Sequence, residues 1–403
     1  MRKATSLVSA WLALVFAFTA VLGNVAAAPA YKSVAGGVST AAEAAALIDV
    51  QSGRMLYAKA GDKRMRIASL TKIMTAIVAI ERGNLSDIVV VSGNAAGKEG
   101  STLYLKQGEE MSLHNMLYGL MLRSGNDAAT AIAEHVGGSV EGFAYMMNET
   151  AELIGMTGTH FDNPSGLDSE THFSTANDMA RLTAYALRNP AFQDIVKTKV
   201  KTAPNPNEPW DYKWSNKNKM LSLFDGADGV KTGYTKLAKR CLVSSATRDG
   251  QQLAVVTLND GEDWADHSKL LNYGFNTYPL ADIVNKGDTV EGTTIAVGGS
   301  FKYPLLQTET GTVRRSAELL QPGSPGYVFG ERGRLRIYVK DVEVGSVPLY
   351  EQNSPRMKAA AKHETDAFRY EDEFTERRAL KGRWVASLAI AVKQLLVPNR
   401  AWQ

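Results

Sequence analysis

A chain of 403 residues, 44% hydrophobic and 22% charged, is long enough to bury a large core and to form two domains. Its formal net charge is only +3, and it falls to +1 without Arg2 and Lys3 of the leader described below, so no basic field argues for nucleic acid as a partner. Six histidines with no pair at ligand spacing point to no metal site, no cofactor is called for, and Cys241, the one cysteine, has no partner within the chain for a disulfide.

Arg2 and Lys3 precede an apolar stretch from Leu7 to Gly23, and Ala26-Ala27-Ala28 follows with the small residues of a cleavage site. Residues 1–30 therefore read as a secretory signal peptide. Ala45 to Val50, a turn at Gln51-Ser52-Gly53 and Arg54 to Ala58 read as a hairpin. It leads into a helix opening at Ser69, whose Leu70, Ile73, Met74, Ile77 and Val78 recur at helical spacing until Gly83. Ser112 is expected to cap a helix running to Leu122, Asp127 to His135 forms another, Ser139 opens a third closing at Gly155, and Thr175 to Leu187 is a fourth stopped before Pro190. Cys241 to Thr247, the turn Arg248-Asp249-Gly250 and Gln252 to Leu258 read as a second hairpin, and Asp263 to Tyr273 as a last helix. Strands at both ends of this stretch with helices between them imply an α+β fold, one antiparallel sheet with helices on its faces, over residues 31–278.

From about Pro279 the pattern changes to short strands with glycine turns, such as Thr289 to Gly292 and Arg336 to Val339. We read residues 279–350 as a small all-β domain and 351–382 as a charged linker. In the last segment, 383–403, Trp384, Leu388, Val392 and Leu395 share one stripe of a helix. Its fourteen residues from Trp384 to Val397 would extend about 21 Å, short of the roughly 30 Å hydrocarbon core. After Glu376 there are no acidic residues, while Arg377, Arg378, Lys381, Arg383, Lys393 and Arg400 are basic. That combination suits a helix lying on an anionic membrane surface.

Three short motifs carry chemistry. Ser69 and Lys72 lie one helical turn apart, which puts a hydroxyl and an amine within mutual reach near a helix N-terminus. Ser124-Gly125-Asn126 falls at a break between two helices, and Lys231-Thr232-Gly233 falls just before the strand around Cys241. A serine hydroxyl is a weak nucleophile near neutral pH, and a lysine serves as its base only while uncharged. Lys231 as a second cation, together with burial, would lower the pKa of Lys72.

In this order the three motifs are a known set. With Ala68-Ser69-Leu70-Thr71-Lys72-Ile73-Met74-Thr75, Ser124-Gly125-Asn126-Asp127-Ala128-Ala129, Asn163-Pro164-Ser165-Gly166-Leu167 and Ser174-Thr175-Ala176-Asn177-Asp178, residues 40 to 350 resemble the low-molecular-mass penicillin-binding proteins, the serine D-alanyl-D-alanine carboxypeptidases. The resemblance implies a transpeptidase-like, β-lactamase-like fold followed by a β-sandwich, and a C-terminal anchor on the outer face of the bacterial cytoplasmic membrane. It implies removal of the terminal D-alanine from peptidoglycan stem peptides ending in D-Ala-D-Ala through an acyl-enzyme on Ser69, and binding of β-lactams. Lys72 would be the base and Ser124 a proton relay, Asn126 would offer its amide to the substrate backbone, and Lys231 and Thr232 would hold the substrate carboxylate. Gly233 would let the strand come close, and the N–H groups of Ser69 and Tyr234 would form an oxyanion hole.

The loop Gly261 to Asp266 lacks the arginine that some relatives carry there; Arg248 has the right charge, but the first position of a tight turn favours solvent. A β-lactamase is the nearest rival, but the chain has no Glu-x-x-Leu-Asn stretch. A D,D-endopeptidase shares the same chemistry, and a catalytically silent penicillin sensor would require loss of Ser69 or Lys72.

Overall fold

The computed structural model describes residues 37–359; the expected signal peptide, most of the linker and the C-terminal helix lie outside the described residues. Its centre is a five-stranded antiparallel sheet in the order β2-β1-β9-β8-β7. The strands are β1 (Ala44–Asp49), β2 (Met55–Lys59), β7 (Ala227–Thr235), β8 (Lys239–Arg248) and β9 (Gln251–Leu258); β3 (Ile88–Val90) with β4 (Glu110–Ser112), and β5 (Val200–Ala203) with β6 (Tyr212–Ser215), form two separate hairpins. Both faces of the central strands are covered. Ala46, Ile48, Val243, Ala254 and Val256 belong to the core beneath the helices, and the alternate residues Leu47, Leu242, Leu253 and Val255 to a second core shared with Leu270 and Leu271. Burial on both sides is why these strands read as continuous apolar runs.

The helices on the larger face are α1 (Lys72–Arg82), α2 (Leu113–Tyr118), α3 (Asn126–Gly137), α4 (Val140–Leu153), α5 (Ala176–Ala186) and α6 (Pro190–Lys197), while α7 (Met220–Leu223) brings Met220 and α8 (Asp263–Thr277) brings Leu270 and Leu271 to the core on the opposite face. Ser112, Ser139 and Thr175 cap α2, α4 and α5 as expected, each accepting a backbone N–H three residues on. Pro190 has two roles. It stops the preceding helix, and it is also the first residue of α6, whose amides at Ala191 and Phe192 donate to the Asn189 side chain.

In the C-terminal part, β10 (Leu280–Val284) pairs with β12 (Phe301–Pro304), and β11 (Ile295–Val297), β13 (Val313–Leu319), β14 (Glu331–Val339) and β15 (Val342–Glu351) form a sheet in the order β11-β15-β14-β13. Val284, Phe301 and Tyr303 of the first sheet share one core with Leu335, Ile337 and Leu349 of the second. The stretch Thr289 to Gly292 is not a strand. Thr289 makes an isolated bridge to Ala296, and Gly292 sits at φ +74° in the turn that follows. Among the described residues no helix is long and apolar enough to cross a membrane.

Candidate active site

Ser69 does not open a regular helix. It lies in a 3-10 turn, Ala68–Thr71, ahead of α1, and its side chain caps nothing. Ala68 takes a left-handed conformation at φ +48°, unusual for a residue with a Cβ, so the surrounding contacts must hold the turn. One of them is β7, the last strand of the sheet. A Cβ on Gly233 would stand 3.2 Å from the Ser69 amide nitrogen and 3.2 Å from the Ile67 carbonyl oxygen. The glycine of the third motif therefore admits the serine's own turn.

Lys72 is wholly buried at the start of α1. Its Nζ lies 3.1 Å from Ser69 Oγ, 2.7 Å from Asn126 Oδ1 and 2.6 Å from the Ser165 carbonyl oxygen. Two of these three neighbours can only accept. A neutral amine has two hydrogens, so with both donated to Asn126 and Ser165 its lone pair faces the Ser69 hydroxyl. Burial, and after it the charges of Lys231 and Lys217, hold this amine well below the usual lysine range, with Asp127 pulling the other way. The arrangement thus supplies the geometry of a base, and the lowered pKa favours the uncharged form that a base needs.

The second motif sits between a π-helical turn, Gly119–Arg123, and α3, with Ser124 in a left-handed conformation at φ +66°. Its buried hydroxyl has no hydrogen-bond partner among the described residues. Asn126 spends Oδ1 on Lys72 and one Nδ2 hydrogen on the Glu99 carbonyl at 2.7 Å, which leaves one amide hydrogen for an outside partner. Lys231 of β7 is buried, and its Nζ donates to the Thr232 carbonyl at 2.8 Å. Burial first, then Lys217, pushes its amine down to about 7. Thr232 is half-buried and Tyr234 exposed, with Tyr234 opposite Arg240 across the sheet.

Two contributors carry no motif of their own. Lys217 depresses both buried lysines and donates to Ser101 Oγ at 3.1 Å. Asn163 Oδ1 accepts the backbone N–H groups of Ser165, Gly166 and Leu167, which curls that loop and turns the Ser165 carbonyl toward Lys72. The sequence marks Asn163 to Leu167 only through the family resemblance, and nothing in it marks Lys217. Arg248 is engaged elsewhere: it donates to the Asp225 carbonyl and lies over the Phe224 ring, 4.3 Å from its centroid. In the loop that lacks arginine, Asp263 pairs with Arg240.

A serine beside a buried lysine of lowered pKa, with a second lysine near enough to lower it further, defines an acyl-transfer site of the serine–lysine class. The profile of the D-alanyl-D-alanine carboxypeptidase family matches residues 29–262. The chain is 36% identical over 278 residues to the D-alanyl-D-alanine carboxypeptidase DacF of Bacillus subtilis, covering 66% of this chain and 71% of that one. It is 34% identical over 291 residues to DacC of Escherichia coli, 68% of this chain and 71% of that one. Among solved structures, the carboxypeptidase DacD of Francisella tularensis superposes with a TM-score of 0.62 at 27% identity, covering 83% of this chain and 98% of that one. The chain belongs to the D-alanyl-D-alanine carboxypeptidase family, and the carboxypeptidase activity expected from its motifs stands.

Proposed function

We propose that the protein removes the terminal D-alanine from peptidoglycan stem peptides by acyl transfer to Ser69. Lys72 takes the Ser69 proton as Oγ attacks the penultimate carbonyl, and the amide N–H groups of Ser69 and Tyr234 stabilise the oxyanion. Ser124 passes a proton to the departing amine, D-alanine leaves, and water then hydrolyses the ester to regenerate Ser69. Asn126 holds the peptide backbone through its remaining N–H, and Lys231 and Thr232 bind the terminal carboxylate. β-Lactams, which carry a strained amide, acylate the same serine. The observation that carries this reading is the position of Lys72 Nζ, 3.1 Å from Ser69 Oγ with its other two neighbours fixed as acceptors. Labelled penicillin followed by peptide mapping tests it: the label is expected on Ser69, and a label elsewhere overturns it.

We further infer that residues 1–30 direct export and that the mature enzyme lies on the outer face of the cytoplasmic membrane, held by the basic amphipathic segment 383–403. The boundaries 31–278 for the peptidase, 279–350 for a β-sandwich domain and 351–382 for a linker belong to this reading. The charge pattern after Glu376 supports it. Truncation after Glu376 is expected to abolish flotation with anionic liposomes while acylation by penicillin continues; equal flotation of both forms would rule out the tail as the anchor.

A further inference from the structure

The segment following the Asn163 to Leu167 loop returns to the serine turn through an isolated antiparallel bridge, Met65 with Ser174. This places His172, which is only 3% exposed, against Thr71, the last residue of the turn. The ring nitrogens have distinct partners. The Asp162 amide donates to Nδ1 at 3.1 Å, so Nδ1 carries a lone pair and the ring hydrogen sits on Nε2. Nε2 is 2.8 Å from Thr71 Oγ1, and Thr71 Oγ1 in turn donates to the Ala68 carbonyl at 2.9 Å. The chain of donors ends on the residue held at φ +48° immediately before Ser69.

We propose that His172 is a positioning residue for the carboxypeptidase reaction: through the Thr71 hydroxyl it fixes the Ala68 carbonyl, and with it the Ser69 hydroxyl and amide. The proposal rests on Ser69 as the nucleophile. A left-handed alanine costs free energy that its surroundings must offset, and a buried hydroxyl bonded in both directions is suited to that. The ring must be neutral, because a second N–H at Nδ1 would face the Asp162 amide hydrogen. Its surroundings keep it so. Burial lowers its pKa to about 4 against the pull of Asp162, with His160 lowering it further and Asp168 raising it; Lys72 is the remaining titratable group near the ring and acts on it only when charged. Gly166 packs closely on the same pair of groups: a Cβ there would lie 1.9 Å from the Ala68 oxygen and 2.8 Å from Thr71 Oγ1.

The test is a mutant cycle read by the acylation rate of labelled penicillin, its concentration dependence and thermal melting, at a temperature where every variant is folded. Thr71→Val keeps the shape and removes the hydroxyl, Thr71→Ser keeps the hydroxyl, and His172→Asn removes the ring donor. Thr71→Val and His172→Asn are each expected to slow the acylation step about 10²-fold, the size of effect a misplaced nucleophile produces, with half-saturation little changed. Thr71→Ser should stay within a few-fold of the wild-type rate, and the Val/Asn double variant should be no slower than either single one. A folded Thr71→Val protein acylating at the wild-type rate, a Thr71→Ser protein as slow as Thr71→Val, or losses that multiply in the double variant would overturn the positioning role while leaving the Ser69 assignment intact. Absence of label on Ser69 in the wild-type protein would overturn the assignment beneath it.

Discussion

A lysine can take a proton from serine only when it is neutral, and the protein secures that by burying Lys72 completely beside two further lysines. Lys72→Arg keeps a cation that cannot deprotonate near neutral pH, so acylation by labelled penicillin is expected to fall by roughly 10²–10⁴-fold, the range of general-base catalysis. Near-normal acylation by that variant would sink the base assignment. The same burial has a cost in stability. Lys231 has a folded value of about 7 against an ordinary 10.5, so between those values the unfolded chain binds more protons and wild-type stability rises with pH. Lys231→Met, which removes a buried ammonium and keeps the stem's volume, is therefore expected to melt higher than wild type while losing peptidase activity. The gap should be wider near pH 6 than near pH 10, and a gap that widened with pH would contradict the argument. Ser69, Lys72, Ser124, Asn126 and Lys231 were legible in the sequence because each belongs to a motif of three or four adjacent positions. Lys217 was not, because its effect on Lys72 depends on a chain return of more than a hundred residues.

The turn before α1 is the element on which the site depends, and it is confined by two glycines of unequal tolerance. At Gly166 a Cβ would meet the Ala68 oxygen at 1.9 Å and the backbone is at φ +81°, so Gly166→Ala demands movement of main chain against main chain. At Gly233 the closest contacts would be 3.2 Å, which neighbours can relieve by a few tenths of an ångström. Gly166→Ala is expected to lose both acylation and cooperative melting. Gly233→Ala should keep a near-normal melting temperature yet acylate about 10-fold more slowly, because its contact falls on the Ser69 amide. The reverse ranking in melting and acylation assays would disprove this account. Local patterns foretold the caps on α2, α4 and α5, since a serine or threonine ahead of an apolar run acts on its own neighbours. They did not foretell that Ser69 lies in a 3-10 turn: apolar periodicity continues through Leu70 and Ile73, and the departure from helix is imposed by β7 and the Asn163 to Leu167 loop.

At the scale of the whole chain, the alternation of strands and helices was enough to infer a sheet joining the N-terminal hairpin to strands some two hundred residues later, because only that pairing buries both apolar faces. The join between that sheet and the C-terminal strands was not legible. It centres on Arg54, at the start of the β2 hairpin arm, whose Nη2 makes a two-pronged ion pair with Glu309 at 2.8 and 2.9 Å and whose Nη1 donates to the Pro304 carbonyl at 2.7 Å. The guanidinium also lies 5.2 Å from the centroids of the Tyr278 and Tyr303 rings. Burial alone would raise the Glu309 pKa, but the hydrogen bonds from Arg54 and the Leu306 amide outweigh it and hold the carboxyl below its ordinary 4.5. A carboxylate lowered in this way contributes stability that is present above about 4.5 and is lost as pH falls through the folded value. Arg54→Ala leaves that carboxylate buried with only the exposed Lys340 as a counter-charge, which should cost roughly 3 kcal/mol near neutral pH. Acylation of Ser69 should be unaffected, because neither group touches the site. As the pH is lowered from about 7 to about 4, Glu309 in the variant protonates readily while the wild-type protein loses the benefit of its pair, so the two melting temperatures should converge. Melting temperatures that stay equally far apart across that range would show that Arg54 joins the two parts by packing over the tyrosines and not through its charge.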